Sequence, residues 1–254
     1  MCERLIILSG PASIGKGPSI AALNRFYSEI QYKSVPVIKS KESRPDGPRP
    51  DERDRWDDPD FFRPKGDIER LKHDDNFIVG GCRGFPQALD LRKIREIESK
   101  IIFIEVYHTI GAQLLNCDYL KNLEINTIFL SPLSKQEIED LKCAGICVKD
   151  YVVRIMLHKQ LVRARFHGKR LSDRLLSDIV ARAEDAFTEL QRASKYSHVI
   201  VNHDGEGSSN WHQFPNGTFY DEPEGDAKRT MDSILRIFCN TGGDGAEYWE
   251  ESLI

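Results

Sequence analysis

No apolar run in the sequence approaches the roughly 20 residues needed to cross a bilayer, which argues against a membrane-spanning protein. Met1-Cys2-Glu3-Arg4 leads into only a few apolar or small residues before a Gly-Pro turn. That is too short for a secretory leader, so the cytoplasm is the expected compartment. Cysteine is sparse: the six, at positions 2, 82, 117, 143, 147 and 239, lack the paired spacing and matching histidines of a structural zinc site. They are read as reduced thiols, Cys143 and Cys147 as core residues, and no metal is assigned to protein ligands. Basic charge is not in excess either. The chain has 36 Lys and Arg against 40 Asp and Glu, a net −4, which argues against a surface built to grip nucleic acid. No internal repeat is present. What remains is an ordinary globular composition over 254 residues, enough to bury a substantial core.

Short continuous apolar runs alternate with helical periodicity. Leu5-Ile6-Ile7-Leu8, Ile101 to Val106, Asn126 to Leu130 and His198 to Asn202 read as strands buried on both faces, and Phe77-Ile78-Val79 as a shorter one. Helices are expected from about Ser19 to Tyr27, Gln87 to Glu98, Tyr151 to Phe166, Arg174 to Leu190 and Met231 to Phe238. Ser134 and Glu137 form a capping box before a further helix. Ser40 to Arg63, rich in Pro, Asp and Arg, reads as exposed and irregular, while Asp204-Gly205 and Asn216-Gly217 mark turns. This alternation predicts a three-layer α/β core with a mainly parallel sheet. Charge is uneven along it: Lys149 to Arg174 is crowded with Lys and Arg, and Gly205 to Ile254 with Asp and Glu.

The chemistry concentrates where the first strand meets the first helix. Gly10-Pro11-Ala12-Ser13-Ile14-Gly15-Lys16 matches the first seven positions of the phosphate-binding P-loop, in the strand-loop-helix setting its mechanism requires. Glycines let successive N–H groups face a polyphosphate, the helix N-terminus adds positive potential, and Lys16 reaches the β- and γ-phosphates. Gly10, Ser13, Gly15, Lys16 and Gly17 are therefore the candidate ATP-binding residues. The hydroxyl that usually follows the lysine and ligates magnesium is replaced by Gly17-Pro18, which leaves Ser13 or Ser19, or water and the nucleotide, to hold the ion.

From this loop onward the chain resembles the guanylate kinase family, over about residues 4 to 204. Leu5 to Pro11 with Gly15-Lys16-Gly17 looks like that family's opening. Ser43-Arg44-Pro45, Arg49-Pro50 and Glu52 are similar to its acceptor-binding Thr-Arg-x-x-Arg-x-x-Glu segment, with two extra residues between the arginines. Ile101 to Gly111 resembles its central strand and acidic motif, and Phe129 to Ser134 the strand and helix cap before its lid. Lys169-Arg170 and Arg182 resemble lid arginines that contact transferring phosphates, and Val199 to Asp204 the strand whose asparagine, here Asn202, lies near the ATP base.

The resemblance implies ATP with Mg2+ as donor, a nucleoside monophosphate as acceptor, GMP or dGMP first, and one kinase domain. Its core would be 1–39, 99–140 and 191–240, its acceptor-binding segment 40–98, its insertion and lid 141–190, and its acidic tail 241–254. Lys16, Arg170 and Arg182 take catalytic roles, while Ser43, Arg44, Arg49 and Glu105 face the acceptor; Glu105 reads equally as a structural partner of a basic residue. The sequence also departs from the family. Val79 stands where a glutamate reads guanine, Phe85-Pro86 replaces a Tyr-Tyr pair, and about 25 residues are inserted near Cys143 to Val162. These departures keep two alternatives open: a related P-loop kinase for another phosphorylated or hydroxylated acceptor, and a catalytically weak binding module of the same fold.

Overall fold

The computed structural model describes residues 3–44, 47–48, 50–242 and 245–254. The chain folds as two compact units, Met1–Ser9 with Gln31–Asn126 and Gly10–Ile30 with Thr127–Ile254. Strand β1 (Arg4–Ser9) opens the chain with Leu5, Ile6 and Ile7 fully buried, as a run without polar alternation predicts. It runs through the loop at 10–15 into helix α1 (Lys16–Phe26). Pro18 occupies the first turn of α1, where its missing N–H costs no intrahelical bond.

In the first unit follow β2 (Lys33–Ser34), β3 (Ile38–Ser40), β4 (Phe62–Arg63), α2 (Lys65–Arg70), β5 (Phe77–Cys82), β6 (Phe85–Asp90), α3 (Leu91–Glu96), β7 (Ile101–Glu105) and α4 (His108–Leu115). β7 lies parallel to both β1 and β2. Leu5, Ile7, Ile102, Ile104, Ile110 and Leu114 form the heart of a shared apolar cluster, each contributing about 1.5–3 kcal/mol by burial. A second sheet, in the order β4-β3-β6-β5, is antiparallel except for the β3–β4 pair.

Two expectations are corrected in this unit. Residues 85–90 are strand, and the helix expected from Gln87 covers only Leu91–Glu96. The apolar residues at 89, 91 and 94 fit a helical period, but pairing with β5 claims 85–90, and Asp90 then caps the helix through Arg92 N at 2.9 Å. The segment 40–63 is not simply irregular either. It carries β3, β4, 3-10 turns at Lys41–Ser43 and Pro50–Arg55, and a buried Glu52 and Phe62.

The second unit contains β8 from Thr127 on (whole strand Glu124–Ser131), α5 (Lys135–Cys143), α6 (Val148–Phe166), α7 (Asp173–Leu190), β9 (His198–Val201) and α8 (Gly225–Cys239). β8 and β9 are parallel, and α6 packs along α7. The capping box forms as read, Ser134 Oγ accepting from Glu137 N while Glu137 accepts from Ser134 N. Cys143 and Cys147, expected in the core, are exposed because α5 ends at one and the other only caps α6. The last helix begins at Gly225, not Met231. The acidic tail is docked: Glu247 pairs with Val199 at the edge of β9, and its carboxylate accepts from Lys135 N and from Nε1 of the buried Trp249. Among the described residues no helix is long and apolar enough to cross a membrane.

Candidate active site

The phosphate-loop residues take the backbone conformations their types allow. Gly10 and Gly15 have φ of 138° and 108°, and a Cβ on Gly10 would stand 2.6 Å from Leu130 O. Ser13 also lies in the left-handed region, at φ 68°, although it carries a side chain. Such a conformation persists only where surroundings over-determine it. Lys16 Nζ turns back into the loop, donating to Gly10 O and, at 2.9 Å, to Pro11 O. The ammonium is thus held over the loop's own carbonyls at the N-terminus of α1, where the helix dipole places positive potential.

Three elements brace the loop within the same unit. Buried Asn202, just past β9, donates from Nδ2 to Ile14 O at 2.6 Å, and its backbone N–H reaches Ser131 O. From α6, Gln160 donates to Ala12 O at 2.9 Å and accepts from Ser13 Oγ at 3.0 Å. The stretch after Asn202 supplies the third: Glu206 N donates to Ser13 O, and Trp211, buried and donating to Gly205 O, packs beside Gly15. A cleft of about 750 Å³ beside these elements is lined by Leu133, Tyr151, Arg154, His158, Lys159 and His203 among others.

Electrostatics in this region depend on buried charge. Burial pushes the Lys159 ammonium down to about 8 against the pull of Asp204 and Asp226, while its Nζ donates to His203 O. Burial also works against a charged His203, but Glu137 at 3.0 Å and Asp226 at 2.8 Å, one on each ring nitrogen, outweigh it and raise the pKa. A neutral imidazole has only one N–H to give, so two carboxylates favour the imidazolium. Asp204 accepts from Ser208 Oγ, Asn210 Nδ2 and Ala227 N, which ties the start of α8 to the loop after β9.

A search against protein-family models finds no match. By sequence the chain is 25% identical over 204 residues to a guanylate kinase of Synechococcus sp. (strain JA-3-3Ab), covering 78% of this chain and 75% of that one. By structure it superposes on the guanylate kinase of Anaplasma phagocytophilum with a TM-score of 0.51, over 94% of this chain and 86% of the other, at 13% identity. In sequence, at 25% identity, and in fold, the chain is similar to guanylate kinases. The fold class expected from alternating strands and helices is thereby met.

Within this guanylate-kinase-like frame, the structure gathers Gly10, Ser13, Gly15, Lys16 and Asn202 into one hydrogen-bonded cluster. Arg170 and Arg182 lie on the α6–α7 hairpin instead. Arg170 is exposed in its turn, and Arg182 is paired to Asp178 on its own helix at 2.7 Å. In the other unit, Arg44 presents its fork to Glu52 at 2.7 and 2.6 Å, with both side chains largely buried, and its Nη1 donates to Ser43 O and Oγ. Arg49 lies outside the described residues. Glu105 is exposed at the end of β7, in register with Leu8. Val79 packs partly buried against Ile38, Ile68 and Ala88. Sequence reasoning missed Gln160, Lys159 and Trp211, since a single amide, amine or indole in a helix or loop carries no local signal.

Magnesium finds no hydroxyl at Gly17, which is exposed with open space around it. The protons of Ser13 Oγ and Ser19 Oγ are committed to Gln160 and to Gly15 O. Among the described residues no group of three or more His, Cys, Asp or Glu is placed to hold a metal. The loop suits a polyphosphate; it does not supply the protein ligand that P-loops usually give the ion.

Proposed function

We propose that this chain is an ATP-dependent nucleoside monophosphate kinase, with GMP or dGMP the first acceptor to test. The observation that carries the reading is Lys16, held inside a loop of glycine-dependent geometry between β1 and α1. The γ-phosphoryl group passes from ATP to a phosphate oxygen of the acceptor, giving ADP and a nucleoside diphosphate. Lys16 exchanges its carbonyl partners for phosphate oxygens and offsets their charge, and main-chain N–H groups of the loop orient them. Arg170 and Arg182 act as lid cations on the transferring group. Ser43, Arg44, Arg49 and Glu105 meet the acceptor, with 40–98 the acceptor-binding segment and 141–190 the insertion and lid of a single kinase domain. Magnesium enters with ATP as its counter-ion, and Asn202 lies near the donor base.

Val79 favours a second reading, a kinase of the same mechanism with a different acceptor. An apolar side chain packed on Ile38 and Ile68 cannot hydrogen-bond a guanine edge. Release of ADP from ATP and Mg2+, screened across nucleoside monophosphates, separates the readings. Turnover led by GMP or dGMP supports the first, turnover led by another acceptor supports the second, and no release with any acceptor refutes both.

A further inference from the structure

Gln160 sits on α6 and is 3% exposed. Both ends of its amide are spent on the phosphate loop: Nε2 on Ala12 O at 2.9 Å, Oε1 on Ser13 Oγ at 3.0 Å. Ser13 is the one residue of that loop with a side chain in the left-handed region, a conformation that persists only where its surroundings hold it. The neighbouring Lys159 anchors the same turn of α6 to His203 O, and Gly205, one residue from the Glu206 N–H that caps Ser13 O, lies against the Lys159 stem. From this geometry we infer that Gln160 is a positioning residue for phosphate binding, through which α6 holds the loop in its phosphate-receiving shape. The inference rests on the nucleotide-binding reading above. It adds a role for α6, which meets the loop through the Gln160 side chain.

The test is calorimetric binding of ADP, with thermal unfolding in parallel, on Gln160→Met, Ser13→Ala and Val152→Ala. Methionine keeps the buried volume of Gln160 and removes both hydrogen bonds. Val152→Ala loosens the same helix at a fully buried site about two turns before Gln160. Gln160→Met is expected to weaken ADP binding by about tenfold, and Ser13→Ala, which loses one bond of the pair, by a smaller factor in the same direction. Val152→Ala is expected to lower the melting temperature and leave ADP affinity within about twofold. In the kinase assay the KM for ATP should rise in Gln160→Met and the KM for the acceptor should not. The inference is overturned if Gln160→Met binds ADP like the parent, or no worse than Val152→Ala at equal loss of stability. Should Gln160→Met fail to fold, unchanged ADP affinity in Ser13→Ala overturns it instead. Absence of ADP binding by the unmodified chain is a different result, since it removes the nucleotide-binding reading itself.

Discussion

Replacing Gly15 with alanine should damage the fold and the phosphate loop together, whereas replacing Gly17, two residues on, should spare both. A Cβ on Gly15 would stand 2.3 Å from Asn202 Nδ2 and 3.2 Å from Trp211 Cζ2, at a φ of 108°. Asn202 cannot yield cheaply, because it is fully buried and donates to Ile14 O at 2.6 Å. Losing that bond inside the protein costs about 1–3 kcal/mol, and an L-residue in that backbone region about 1–3 kcal/mol more. At about 2–4 °C per kcal/mol for a chain of this length, the melting temperature should fall by roughly 5–20 °C. Gly17 has open space around it and an ordinary φ for the first turn of α1. Gly17→Ser should therefore melt at or slightly above the parent temperature, and it supplies the hydroxyl that P-loops use for magnesium, so Mg-ATP should bind more tightly. Differential scanning calorimetry with and without Mg-ATP measures both variants. A Gly15→Ala protein melting within about 2 °C of the parent would refute the packing argument.

Lys16→Ala should cut turnover by at least about a hundredfold with little change in melting temperature, because the ammonium contacts only loop carbonyls; near-normal turnover would remove the loop from the mechanism. Arg44→Lys should raise the acceptor KM while leaving that for ATP unchanged, since an ammonium cannot reproduce the fork that spans Glu52 and Ser43. A drop in stability with no change in either KM would make Arg44 structural only. Because the pKa of His203 is raised in the folded state, its stabilisation is complete below its unfolded value near 6.5 and is lost as pH rises through the folded one. His203→Gln should flatten that part of the stability profile, and an unchanged profile would refute the bridge to Glu137 and Asp226. Lys159 has the opposite linkage. With its folded pKa near 8 and its unfolded one near 10.5, its share of stability rises across that window, and Lys159→Met should abolish the rise in denaturant titrations from pH 8 to 10.

Much of this protein was legible in the sequence because it is locally encoded. Leu5-Ile6-Ile7-Leu8 running into Gly10 to Lys16 specifies a buried strand, a glycine-dependent loop and a helix start within about 20 contiguous residues, and the Ser134–Glu137 box needs only four. The mainly parallel arrangement expected from the same apolar runs is met where β1 pairs with β7 and β8 with β9. Tertiary contact decided the rest. The apolar residues at 89, 91 and 94 fit a helical period, yet β5 supplies a ladder to 85–90 that a window of local sequence cannot contain. The Pro-rich segment around Arg44 looked too polar to be ordered, until the fork of Arg44 on Glu52 let both charges be buried. Gln160 reaches Ser13 across 147 residues of chain, and Asn202 reaches Ile14 across 188. A side-chain amide becomes part of a phosphate loop only when folding removes water and leaves the loop's carbonyls and hydroxyl as its remaining partners, so its role belongs to the tertiary structure alone.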